Sequence, residues 1–148
     1  MNARTFVDTN VLIYAHDADA GRKHEIAKDL LLELWAERSG ILSLQVLQEF
    51  YVNVTRKIRT PLPSSSARGV VNAYAPWCVE SATAADLTSA FQIEDDARIG
   101  FWDALIVAVA ARSGATRLLS EDLNAGQKIA GLVVENPFAA GANPRRPS

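Results

Sequence analysis

Short apolar runs that stop at a polar or acidic residue alternate along this chain with longer stretches of helical period, and that alternation predicts βα units around a parallel sheet. The first run is Thr5-Phe6-Val7, stopped by Asp8-Thr9-Asn10; a short helix is expected over residues 11–15 and a turn over 17–21. Between residues 23 and 38 the side chains of Ile26, Ala27, Leu30, Leu31, Leu34 and Trp35 recur on one helical face. Ile41-Leu42-Ser43 is the second strand candidate, after which Leu47, Phe50, Tyr51, Val54 and Ile58 repeat at helical spacing as far as Pro61 and Pro63. Weaker signals predict helices over 64–75 and 84–97, with an extended piece at Val79 between them. Residues 101–113 are apolar on nearly all sides and closed by Gly114, which predicts a buried helix. Arg117-Leu118-Leu119-Ser120 and Leu132-Val133-Val134 complete the strands. The expected class is α/β, with a central parallel sheet covered by helices on both faces.

The chain has 148 residues, 49% of them hydrophobic, enough for one domain with its own core and too few for two ordinary ones. With one cysteine, Cys78, and two histidines, His16 and His24, neither an intramolecular disulfide nor a Cys/His zinc cluster can be assembled, so a metal site here has to use oxygen. A net charge of −2 excludes binding of nucleic acid by bulk positive charge. The longest apolar run, 104–111, is far below the ~20 residues of a membrane span, and the N-terminus carries no signal-peptide pattern. The reading is a soluble cytoplasmic protein, folded over residues 1–138, with residues 139–148 a flexible tail holding Gly141, Pro144 and Pro147.

Ligands of open α/β sheets bind outside the carboxyl ends of the strands. Asp8 directly follows the first strand and Asp122 follows the strand ending at Leu119-Ser120. Either alone reads more simply as a helix cap or turn residue. Asp103 is more telling: it opens a helix whose next eight residues are apolar, with no basic residue within four positions. Burying an unpaired carboxylate costs several kcal/mol, roughly, and the compensation is either the helix dipole or a cation. Glu49 lies off the Leu47/Phe50/Val54 stripe with Gln45 and Gln48, where a solvated face is as good a reading as a functional one. Its helix nevertheless starts right after the second strand, which brings it to the same sheet edge. If these acids converge, their repulsion calls for positive charge, and hard oxygen donors call for Mg²⁺ or Mn²⁺. The chemistry such a site supports is attack of water on a phosphodiester.

Phe6-Val7-Asp8-Thr9-Asn10-Val11-Leu12, the stretch from Gln45 to Tyr51, Trp102-Asp103-Ala104-Leu105-Ile106 and Leu119-Ser120-Glu121-Asp122-Leu123 stand in an order and at spacings that resemble a PIN-domain ribonuclease of the VapC toxin type. The resemblance runs over residues 5–138. It implies a three-layer α/β/α sandwich with a mostly parallel sheet. It also implies Mg²⁺-dependent endoribonuclease activity on RNA as the toxin of a type II toxin–antitoxin pair, homodimerisation and a small cognate antitoxin. By the same resemblance Asp8, Glu49, Asp103 and Asp122 match the family's acidic, metal-holding quartet. Asn10 matches a polar residue that supports the first Asp, and Ser120 a hydroxyl near the metal. Glu121 leaves the fourth position open; Asp122 is favoured because it follows Ser120 by two positions, as the family's acid follows its strand-end hydroxyl.

The run Glu94-Asp95-Asp96 reads as a solvated helix end. Arg56, Lys57 and Arg59 read equally as RNA-phosphate contacts or as a soluble helix end. Trp35, Trp77 and Trp102 point first to core or dimer contacts and second to base stacking. A phosphoacceptor signalling module would need an acidic pair after the first strand and a lysine ending the last; Asp8 stands alone and residues 132–138 hold no lysine. An Asp-nucleophile phosphatase needs a second acid where Asn10 stands. A non-catalytic binding scaffold remains the alternative, against which stands the presence of all four acids.

Overall fold

Thr5, Phe6 and Val7 are all buried, as a strand covered on both faces requires, and the computed structural model, which describes residues 3–139, places this strand inside the sheet. Strand β1 (Thr5–Val7) pairs in parallel with β2 (Gly40–Ile41) on one side and β3 (Arg117–Leu119) on the other. Strand β3 pairs in parallel with β5 (Leu132–Glu135), and the edge strand β4 (Lys128–Ile129) is antiparallel to β5, giving the order β2-β1-β3-β5-β4. The sheet is therefore mostly parallel. The β4 edge escaped the sequence reading because two residues, one exposed and one buried, carry no periodicity.

Helices α1 (Thr9–Ala15), α2 (Arg22–Glu37), α3 (Leu44–Arg56) and α4 (Ser64–Tyr74) form one packed group, and α5 (Ala84–Ala97) with α6 (Phe101–Arg112) the other. Together with the sheet they make the three-layer α/β/α architecture expected from the sequence. Helix α1 begins two residues earlier than the apolar pattern suggests, because Asp8 caps it. Helix α3 ends at Arg56, short of Ile58, which packs on the core from outside the helix. Helix α6 is buried from Ala104 to Ala110, as its uniform apolarity requires. None of the described helices is long and apolar enough to cross a membrane. Phe6, Leu12, Phe50, Leu118 and Leu132 are fully buried between sheet and helices. The tail assigned to residues 139–148 lies, from residue 140 onward, outside the described residues.

At Gly40 the backbone passes so close to the Trp77 indole that a methyl group would overlap the ring. That ring is already held against Trp35 at 5.1 Å and Tyr74 at 5.2 Å. Gly40→Ala should lower stability by about 1–2 kcal/mol, the lower part of the overpacking range because half-buried Trp77 can tilt outward. Urea unfolding of the two proteins measures it; an unchanged midpoint would show that the contact is not tight.

Candidate functional site

The parallel register sets Val7 opposite Leu119, so the residues that follow, Asp8 and Ser120, leave the sheet side by side. Asp8 is 4% exposed and accepts hydrogen bonds at both oxygens: Thr9 N–H donates to Oδ1 at 2.7 Å and Ser120 Oγ to Oδ2 at 2.7 Å. Burial, with smaller contributions from the charges of Asp103 and Asp122, pushes its pKa up to about 6 in spite of those two bonds. Ser120, itself fully buried, also accepts from Asp122 N–H at 3.2 Å.

Asp122 is exposed and is held by Asn10, whose Nδ2 donates to Oδ2 at 3.0 Å while its Oδ1 accepts from Glu121 N–H at 3.2 Å. Asn10 thus braces the fourth acid, where the resemblance had it supporting Asp8; Thr9 and Ser120 do that instead. Helix α3 starts straight after β2 with Ser43 as its cap, and its middle turn carries half-buried Glu49 to α1, where Thr9 Oγ1 donates to Oε1 at 2.6 Å. Asp103 stands in the first turn of α6, and its carboxylate takes no hydrogen bond or cation among the described residues. Its pKa is raised by partial burial and then by the charges of Asp122 and Glu49.

Asp8, Glu49, Asp103 and Asp122 therefore share one neighbourhood at the carboxyl edge of the sheet, and each of the four feels or exerts the repulsion of others. None of them is in an ion pair among the described residues. Nor, among those residues, does any group of three acidic, histidine or cysteine side chains stand close enough to hold a metal ion as it is. Three of the four lean on separate donors. Carboxylate oxygens held by neutral donors at one sheet edge are the donor type that a hard divalent cation takes.

Glu121 is drawn the other way. Tyr14 Oη donates to its Oε1 at 2.6 Å and Lys23 Nζ pairs with its Oε2 at 2.5 Å. Partial burial would raise its pKa, but Lys23 and Tyr14 together hold it below the usual carboxylate range. Lys23 also lies 5.0 Å from the centroid of the Tyr14 ring. The carboxylate of Glu121 is thus committed to α1 and α2, and Asp122 is the one left in the acidic neighbourhood.

The remaining residues singled out from the sequence sit elsewhere. His16 packs on the Phe50 and Tyr74 rings, burial lowering its pKa, and His24 Nδ1 meets Tyr14 O at 2.9 Å. Asp95, Asp96, Arg56, Lys57 and Arg59 are exposed, and Glu94 is half-buried. Trp35 and Trp77 belong to the aromatic cluster beside β2, while Trp102, 64% exposed, stands next to Asp103. Thr9, Tyr14 and Lys23 carry no site role in the sequence reading; for Thr9 the signal was its place in the Phe6-Val7-Asp8-Thr9-Asn10-Val11-Leu12 motif beside Asp8, and none pointed to the other two.

A family model described as PIN domain matches residues 5–130. No curated protein matches the chain significantly. Among solved structures it is similar to VapBC2 from Rickettsia felis bound to a DNA fragment from its promoter, at 19% identity and TM-score 0.61, covering 89% of this chain and 97% of that one. It is also similar to a toxin–antitoxin complex from Klebsiella pneumoniae, at 20% identity and TM-score 0.64, covering 90% and 98%. A third is VapC20 of Mycobacterium tuberculosis, a Sarcin-Ricin loop cleaving toxin, at 25% identity and TM-score 0.55, covering 77% and 86%. The family match begins at the first residue of β1 and runs past β4, so it spans every strand but β5 together with all the acids gathered at the sheet edge; the chain belongs to the PIN domain family.

Proposed function

We propose that this chain is a divalent-metal-dependent endoribonuclease that acts as the toxin of a toxin–antitoxin pair. The observation that carries the reading is the convergence of Asp8, Glu49, Asp103 and Asp122 on one sheet edge, three of them held there by the neutral donors Ser120, Thr9 and Asn10. The similarity to toxins of such modules supports it. Asp8, Asp103 and Asp122, with Glu49, would hold Mg²⁺ or Mn²⁺. Such an ion, when bound, lowers the pKa of water and stabilises a leaving oxygen in phosphodiester hydrolysis.

The protein's own groups do the rest. Ser120 and the Thr9 N–H keep both oxygens of Asp8 oriented, Asn10 holds Asp122, and Lys23 with Tyr14 keeps Glu121 from competing for its place. Asp103, free of donors among the described residues, can adjust to what binds. RNA is the proposed substrate, a small antitoxin and a second copy of the chain the proposed partners, and the cytoplasm the proposed compartment.

The test is cleavage of labelled RNA with Mg²⁺ and after chelation, for the parent and for Asp103→Asn. Cleavage should require the metal and fall by about a hundredfold or more in the variant, the scale of losing one preorganised charge-stabilising group. Cleavage that survives chelation, or full activity in the variant, would overturn the reading.

A further inference from the structure

Each acid but Asp103 leans on one neutral side-chain donor: Asp8 on Ser120, Asp122 on Asn10, Glu49 on Thr9. We propose that Thr9 is a positioning residue, whose hydroxyl turns Glu49 from a surface carboxylate into a member of the acidic site. This rests on the nuclease reading and deepens it.

Among the described residues, Thr9 is the side chain bonded to the Glu49 carboxylate. Glu49 lies off the Leu47/Phe50/Val54 stripe that seats α3, and the one side chain of its own helix bonded to it, Asn53, donates to its backbone carbonyl at 2.8 Å and not to the carboxylate. Asp103 nearby carries the same charge, so a free Glu49 side chain would swing toward solvent. A hydroxyl-to-carboxylate bond of 2.6 Å is charge-assisted and offsets that repulsion.

Thr9 is well placed for the task. Its own backbone N–H is spent on Asp8 at 2.7 Å, so one residue touches two of the carboxylates and sets the distance between them. Its branched side chain has few rotamers, and its backbone stands two residues past β1, whose position the β1/β3 register determines. Helices α1 and α3 do not need this bond to pack, because fully buried Leu12 and Phe50 already join them to the core. What the hydroxyl adds is direction for one carboxylate.

The experiment is a Mn²⁺ titration followed by the paramagnetic resonance of free Mn²⁺, with the parent, Thr9→Val, Thr9→Ser, Glu49→Gln and Thr9→Val/Glu49→Gln. Asp8→Asn serves as the control for site binding. Thr9→Val should weaken Mn²⁺ by about 10- to 100-fold, the usual effect of removing a group that orients a ligand, and Thr9→Ser should restore most of it. In the Glu49→Gln background Thr9→Val should add nothing, since the group it directs is gone. Parent-like affinity in Thr9→Val, or an equal loss in both backgrounds, would overturn the role of Thr9 and leave the nuclease reading standing. A parent chain with no Asp8-dependent Mn²⁺ binding would overturn both.

Discussion

In metal-free solution at pH 7, Asp8→Asn should melt several degrees above the parent, while RNA cleavage in Mg²⁺ falls by about a hundredfold or more. Both halves come from one fact: Asp8 is 4% exposed, with its pKa pushed up to about 6. A carboxyl whose folded pKa lies above its unfolded value of 3.8 favours the fold when protonated, so that stability is present below the unfolded value and lost as pH rises toward about 6. Two units at 1.36 kcal/mol each make the cost above pH 6 about 3 kcal/mol at most. The neutral amide avoids it and can still meet Thr9 N–H and Ser120. The same amide removes the anionic oxygen that a cation needs. Melting curves with chelator from pH 4 to 8 test this: the gap between variant and parent should be near zero at pH 4 and widen up to about pH 6. A gap independent of pH, or a less stable variant at pH 7, would show that Asp8 is not strained by burial.

Asp86→Ala should cost about 2–3 kcal/mol of stability without touching the acidic sheet edge. Asp86 is 4% exposed and closes a capping box at the start of α5, accepting from Thr83 N–H at 2.9 Å. It also takes Arg112 Nε at 2.9 Å and 3.1 Å on its two oxygens, and Arg112 Nη2 goes on to Glu80 O at 2.8 Å. One carboxylate thus ties the front of α5, the segment before it and the rear of α6. Alanine removes the acceptor of the Thr83 N–H and of a partly exposed guanidinium; that exposure keeps the figure below the full cost of breaking a buried pair. The hydrogen bond from Arg112 holds the Asp86 pKa below the usual range, so the contribution is present above that range and lost as pH falls through the lowered value. Urea titrations of the parent, Asp86→Ala and Arg112→Met at neutral pH decide the point. A loss under about 1 kcal/mol in both variants would mean that the network is incidental.

How much of this was legible in the residues differs from one element to the next. Helix α5 stands where expected, over 84–97, because helical spacing is local; the capping box of Thr83 and Asp86 at its start is what the structure adds. The burial of α6 was equally plain, since a stretch that is apolar all round has nowhere else to go. From that burial followed the suspicion about Asp103, a charge at the mouth of an apolar helix. Edge strand β4 was not legible, because its partner is chosen by a short hairpin and not by periodicity.

At the candidate site the division is sharper. The chain order alone determined that Asp8 and Asp122 follow strands, that Asp103 opens a buried helix, and that Glu49 sits on a helix leaving the same edge; these are properties of neighbours in sequence. Only the tertiary structure decided that Thr9 reaches Glu49 forty positions on, that Asn10 reaches Asp122 across 112, and that Tyr14 and Lys23 claim Glu121. The physical reason is range: helix and strand patterns are written in steps of two to four residues, whereas these bonds depend on which strands lie side by side and in what register, and register is settled by packing of the whole core.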